Sequence, residues 1–244
     1  MTTGGRYLYC VTEAPGESLG SIGIDGKEVT GVVYHDVTAV VSTIPFREIE
    51  ANLGNIMAHQ KVVEACNSRA TTLPVRFGVI FKSEEGVKEM LAKSYADYHT
   101  KLLKLRNKEE FGAKVILDDA GLKKVKAEVE MESDDVKKLK KAVSKAGKGT
   151  AYMLNIRMEE ALRNETAKRI EEMSQGVHRE LARAALESSL LKAEHEQIVL
   201  NAAYLVDRSR EDEFQAGAGK VKRKYEQEGL TIHLSGPWAP YSFC

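Results

Sequence analysis

Two successive sets of strand-like and helix-like segments run along this chain, a loose echo of one layout rather than an internal repeat. Short runs rich in β-branched residues alternate with longer stretches whose apolar residues recur at every third or fourth position, so the chain must build both sheet and helix from its own length. Tyr7-Leu8-Tyr9-Cys10-Val11 reads as a first strand, followed by a Pro/Gly-rich loop. Val29 to Thr43 reads as a hairpin, with Thr30–Tyr34 and Thr38–Ser42 as its arms and His35-Asp36 as its turn. Ile56, His59, Val63 and Cys66 repeat at helical spacing, and Thr71 to Phe81 is extended. Ser83 followed by Glu84-Glu85 starts a second helix, lined by Val87, Met90, Leu91, Tyr95, Tyr98, Leu102 and Leu105. Phe111 to Leu117 returns to strand. An antiparallel sheet with helices on one face satisfies this order, as in ferredoxin-like folds.

The second round is more helical. Residues 122–131 fit two readings: Val125, Ala127, Val129 and Met131 alternate as in a strand, whereas Leu122, Val125 and Val129 share one helical face. Ser133-Asp134-Asp135 starts a helix with the stripe Val136, Leu139, Val143 and Ala146, stopped at Gly147-Lys148-Gly149. A long helical stripe from about Tyr152 to Leu191 follows, through Leu154, Met158, Leu162, Ile170, Met173, Val177, Leu181 and Ala184, with Gly176 as a candidate break. Ile198 to Val206 is a strand, Ser209-Arg210-Glu211-Asp212 resembles a capping box, and Phe214, Val221 and Tyr225 mark a last helix. Leu230 to Leu234 is the last strand. The expected fold is α+β in two domains. Residues 1–110 form a ferredoxin-like unit, and residues 111–244 a helix-rich α+β unit with a small antiparallel sheet and a docked aromatic tail.

That tail, Ser235 to Cys244, holds the only Trp of the chain, with a Tyr, a Phe and two Pro. Chain ends are usually polar and frayed. Large apolar rings and two residues with fixed φ make this one a docking element, onto its own domain or onto a partner. Gly236-Pro237 is expected to turn the chain back directly after Leu234, packing Trp238 and Tyr241 near Ile198–Val206 or the neighbouring helices.

Composition narrows the function. Lys+Arg and Asp+Glu both number 36 among 244 residues, so the net charge is zero, against a general nucleic-acid binder. Cys10, Cys66 and Cys244 are few and far apart, which fits free thiols in a reducing cytoplasm. No apolar run approaches the length of a membrane span, and the first residues lack a signal-peptide pattern. A cytoplasmic protein, monomeric in isolation, is expected, with neither membrane nor nucleic acid as partner.

No catalytic motif sits in the context its chemistry needs. Gly16-Glu17-Ser18-Leu19-Gly20 spells GxSxG, but it lies in the Pro/Gly-rich loop between two strand segments rather than at a strand-to-helix turn; HExxH does not occur, and the six His fall in separate segments without metal-ligand spacing. Ala216-Gly217-Ala218-Gly219-Lys220 lacks the spacing of a phosphate loop. The Lys-rich stretch from Lys123 to Lys148 has interleaved acids and no stacking aromatic, so it reads as a solvated helix face. No catalytic residue, cofactor or metal ligand is therefore assigned. The candidate structural or interaction residues lie in three segments. Pro74, Arg76 and Phe77 sit in a Pro/Gly-flanked strand that must be an edge or a bulge, with Arg76 either pairing with a buried acid or presenting a polar contact, and His59 lies on the apolar face of the preceding helix. Asn201, Tyr204 and Asp207 belong to the Ile198 strand, its polar ends suited to capping backbone, and Pro237, Trp238 and Tyr241 to the tail. A pocket around His59 and Arg76 would instead make the N-terminal unit a small-molecule-binding regulatory module.

Six segments, in order, resemble the gas vesicle protein F/L (GvpF/GvpL) family: Tyr7-Leu8-Tyr9; Ala39-Val40-Val41-Ser42; His59 with Val62-Val63-Glu64 before Leu73-Pro74-Val75-Arg76-Phe77-Gly78; Gly149-Thr150-Ala151-Tyr152-Met153-Leu154; Asn201 to Asp207; and Ser235 to Phe243. Phe111-Gly112 stands where the family usually has a Trp-like start to its second domain. The resemblance covers nearly the whole chain. It implies a two-domain α+β protein with a ferredoxin-like N-terminal domain and a non-enzymatic role in gas vesicle formation, as an accessory or minor shell-associated component. It further implies binding to the hydrophobic shell protein GvpA, and to other gas vesicle accessory proteins, to limit aggregation during nucleation.

Overall fold

The computed structural model describes residues 4–244, which group into two compact units. The first runs through Glu110 and also takes Asp207–Ser209 and Pro237–Cys244; the second comprises Phe111–Val206 and Arg210–Gly236. The chain is α+β, with two sheets and, among the described residues, six α-helices.

In the first unit, β1 (Gly5–Thr12), β2 (Val29–Tyr34), β3 (Val37–Ile44), β4 (Thr72–Pro74) and β5 (Ile80–Phe81) form an antiparallel sheet of order β2-β3-β1-β4, with β5 also on β1. The β2–β3 hairpin turns through His35-Asp36, with His35 in the left-handed region at φ 54°, the backbone a two-residue hairpin loop requires. Pro74 lies on the edge strand β4, where its missing N–H removes no ladder bond on the outer side. Helices α1 (Leu53–Asn67) and α2 (Glu84–Leu105) complete the unit. Asn52 caps α1 by accepting from the Asn55 N–H, and Ser83 caps α2 by accepting from the Gly86 N–H. A ferredoxin-like fold places a helix between its first two strands; here that crossover is a loop holding only a short 3-10 turn, Ile24–Gly26. Tyr7, Tyr9, Cys10, Ile24, Val62, Val63 and Cys66 fill the core, and Ala239 of the tail is packed among them.

The second sheet takes the order β7-β8-β6-β9, from β6 (Lys108–Ile116), β7 (Glu187–Leu190), β8 (Ile198–Asp207) and β9 (Thr231–Trp238). Helices α3 (Asp119–Glu132), α4 (Asp134–Val143), α5 (Lys148–Ala182) and α6 (Glu211–Gln227) accompany it. Residues 122–131 are helical. Asp118 caps α3 by accepting from the Gly121 N–H, Val125 and Val129 are buried one turn apart, and Met131, which the strand reading would bury with them, is exposed. Helix α5 runs unbroken through Gly176. That glycine is there for close approach, since a Cβ on it would meet the Tyr225 ring and hydroxyl. Buried residues of α5 begin only at Thr166, so its first half, with Tyr152, Met153 and Ile156 exposed, contributes little to the core.

Three local expectations are corrected. The helical stripe stops at Ala182 rather than Leu191, because the following residues pair with β8: the Leu186 N–H donates to the Leu205 carbonyl and the Leu191 N–H to that of Asn201. The capping box at Ser209 does not form. Asp207 accepts from both the N–H and hydroxyl of Ser209, a 3-10 turn spans Arg208–Arg210, and Arg210 pairs with Glu213. Finally, Gly236-Pro237 does not turn the chain back. β9 stays extended through Trp238, and Pro237–Cys244 packs with the first unit rather than beside Ile198–Val206. Pro237 is tolerated there because β9 is an edge strand.

Candidate interaction site

Within the first unit, four rings from three elements form one cluster: Tyr7 and Tyr9 of β1, His59 of α1 and Phe77 of the loop after β4. Tyr7 and Tyr9 point to the same face because strand residues two apart share a side. His59 is buried and engaged at both nitrogens, Nε2 3.0 Å from the Val75 carbonyl and Nδ1 2.8 Å from the Tyr7 hydroxyl. A carbonyl only accepts, so Nε2 carries the proton and Nδ1 accepts from Tyr7. The Tyr7 oxygen in turn accepts from the Gly78 N–H at 3.1 Å. Burial lowers the His59 pKa and pushes that of Tyr7 up to about 12, so both are neutral near pH 7. Tyr9 is tied to Ser42 at 2.7 Å and accepts from the Ile24 N–H at 2.9 Å.

The tail lies against this cluster. Ala239, Pro240 and Phe243 are buried, Trp238 is half-buried and Tyr241 is 43% exposed. The anchor is thus smaller and more polar than a fully enclosed indole. Glu110, itself buried, accepts from the Ser242 N–H at 2.7 Å and from its hydroxyl at 2.8 Å. Burial raises the Glu110 pKa, and these two bonds partly offset that shift. Between α1 and the tail lies a cleft of about 370 Å³, lined by Ile56, Val63, Phe77, Trp238, Ala239 and Tyr241, with His59, Gln60, Glu64 and Glu110 as its polar members.

Of the sequence candidates, His59, Phe77, Trp238 and Tyr241 thus meet at one cleft. Pro74 lies beside it in sequence but pairs with Cys10, and Pro237 enters the tail. Arg76 is exposed and makes no ion pair among the described residues, so the buried-acid alternative does not hold. The expected His59–Arg76 pocket is therefore a cleft without Arg76. The β8 residues hold local structure: Tyr204 is buried 3.0 Å from His178, Asn201 donates to the Lys192 carbonyl at 2.9 Å, and Asp207 accepts from Asn107 at 3.0 Å. Glu110 and Ser242 are not singled out by the sequence, and Ile56 is read there only as part of the helical stripe with His59. The one available signal was Glu109-Glu110, two acids heading an apolar strand.

Among the described residues, no group of three or more His, Cys, Asp or Glu is placed to hold a metal ion, and no helix is long and apolar enough to cross a membrane. A second concavity in the first unit, about 610 Å³, is lined by Thr12, Glu13, Asp36, Arg69 and Arg106 among others, with Glu13 and Arg106 paired at 2.8 Å.

Fold and site together define an α+β protein with an apolar cleft walled by its own C-terminal tail. Over residues 5–244 the chain matches the family model described as gas vesicle synthesis protein GvpL/GvpF. It belongs to that family. It is 27% identical to gas vesicle protein L1 of Halobacterium salinarum, over 98% of this chain and 90% of that one. It is also 27% identical to gas vesicle protein F of a Nostoc strain, over 98% and 97% of the two chains. The crystal structure of GvpF from an Anabaena strain superposes with a TM-score of 0.82 at 26% identity, covering 98% of both chains. GvpF from Microcystis aeruginosa shares the fold, with a TM-score of 0.77 at 22% identity.

Proposed function

We propose that this protein is a non-enzymatic assembly factor of gas vesicles, working in the cytoplasm at the nascent vesicle. It binds the shell protein GvpA, with other vesicle accessory proteins as further partners, and limits its aggregation during nucleation. Membership of the GvpL/GvpF family along the length of the chain carries the reading. The physics agrees. A shell protein exposes apolar surface and strand edges before it assembles, and a partner that covers them suppresses wrong association. This chain exposes Leu53, Ile56 and Met57 on α1 and Tyr152, Met153 and Ile156 on α5, surfaces suited to such contacts. Its buried His and Tyr residues are neutral and engaged in packing, which is how structural residues behave.

The test is capture of GvpA by the full-length tagged protein, together with light scattering of GvpA diluted from denaturant. Capture and suppressed scattering are expected. Unchanged scattering with no capture would end this reading. The concavity beside Arg69 and Arg106 supports a second reading, a small-molecule-binding regulatory module. A metabolite panel raising the melting temperature, in a protein that leaves GvpA alone, would favour it.

A further inference from the structure

We infer that the cleft between α1 and the tail is a docking groove for an amphipathic helix of a partner protein, one that carries a Lys or Arg beside its apolar stripe. The inference rests on the reading that the chain binds another vesicle protein, and adds the surface and its chemistry. Helix α1 has two apolar faces. His59, Val62, Val63 and Cys66 face the unit's own core and are buried. Leu53, Ile56 and Met57, at i, i+3 and i+4, are 74%, 41% and 60% exposed, so they form a second stripe that the unit does not use. Ile56 joins this stripe to the cleft, whose far wall is Trp238, Ala239 and Tyr241. An apolar trough beside an exposed helical stripe is the geometry that receives the apolar face of another helix.

Charge chooses the occupant. The groups that can carry charge in the lining are Glu64, Glu110 and His59, and no Lys or Arg is among them. His59 has both nitrogens engaged and is held neutral by burial. Glu110 is buried and, among the described residues, satisfied by the neutral donors of Ser242. A cation on the incoming helix would therefore meet one exposed and one buried carboxylate, whereas an acidic helix would meet two like charges.

Trp238 is the only tryptophan of the chain and lines the cleft, so its emission reports occupancy directly. Full-length protein is titrated with a Leu/Lys amphipathic model helix and with its Leu/Glu counterpart. A saturable blue shift is expected with the Leu/Lys helix, at least tenfold weaker with the Leu/Glu one. Ile56→Lys and Glu64→Lys, both at exposed positions, should each weaken the Leu/Lys response tenfold or more while circular dichroism and melting temperature hold. Equal responses to both helices, or titrations untouched by both substitutions, would overturn the inference. So would a dimer of the protein alone, by sedimentation, that Ile56→Lys dissolves, since the groove would then belong to a second copy. GvpA capture is run in parallel. Capture by wild type that Ile56→Lys leaves intact sinks the groove but keeps the assembly role; loss of capture by wild type itself sinks the assembly role and leaves the groove to the peptide titration.

Discussion

His59 and Glu110 are both buried and titratable, and their environments push them in opposite directions. Burial lowers the folded-state pKa of His59. As pH falls below about 6.5, the unfolded chain takes up a proton that the folded His59 refuses, so stability present above that pH is lost on acidification. Burial raises the folded-state pKa of Glu110 above 4.5. As pH rises from there the unfolded chain ionises first, so stability is lost through the folded pKa of Glu110. His59→Phe strands the Val75 carbonyl and removes the acceptor for Tyr7, and should cost roughly 2–4 kcal/mol at pH 7.5. Urea melts at pH 7.5 and 5.5 check the origin: the gap to wild type should narrow at pH 5.5, and a constant gap would contradict a buried neutral imidazole. Glu110→Gln, which keeps an acceptor for the Ser242 N–H and removes a buried charge, should stay within about 1 kcal/mol of wild type at pH 7. Glu110→Ala, which leaves two donors unpaired, should cost about 1–3 kcal/mol. A red shift of Trp238 emission in the alanine variant alone would mark the loosened tail.

Helix packing in the second unit turns on a close approach. Gly176 of α5 faces Tyr225 of α6, whose hydroxyl lies 3.0 Å from Glu180, itself 2.6 Å from Lys224. Alanine normally gains about 1 kcal/mol over glycine inside a helix. At Gly176 the added methyl would displace the Tyr225 ring, an overpacking cost of about 1–3 kcal/mol that should outweigh the gain. Gly217, within α6, has nothing near its missing Cβ, so Gly217→Ala should stabilise by about 0.5–1 kcal/mol. Thermal melts of the two variants, shifting in opposite directions, are the check; a stabilised Gly176→Ala would show that the ring has room to move. Element starts were legible because capping is local, as at Ser83 and Ser133, each of which accepts from a backbone N–H three residues on. Strand β7 was not, because Glu187-Ser188-Ser189-Leu190 has little β propensity of its own and is extended only through its partner β8.

For the whole molecule, the tail is the telling case. Pro237–Cys244 groups with residues before Glu110, more than a hundred positions away in sequence, and Ala239 enters the core around Tyr7, Tyr9 and Val63. Removing residues 237–244 should therefore strip hydrogen-exchange protection from β1 and α1 while β8 and the second half of α5 keep theirs. Loss confined to β8 would restore the sequence-based placement of the tail.

The chain by itself determined most of its element types and helix starts, the placing of Pro74 at an edge or a bulge, and the docking character of its aromatic end, since each depends on residues a few positions apart; the ordered series of such local segments carried its family resemblance. Tertiary structure alone decided where the tail docks and that Gly176 is a contact rather than a break. It also brought His59, Phe77 and Glu110 to one cleft and left Arg76 in solvent. Those outcomes depend on which surfaces meet across long stretches of chain, and periodicity records that a face is apolar without recording what covers it.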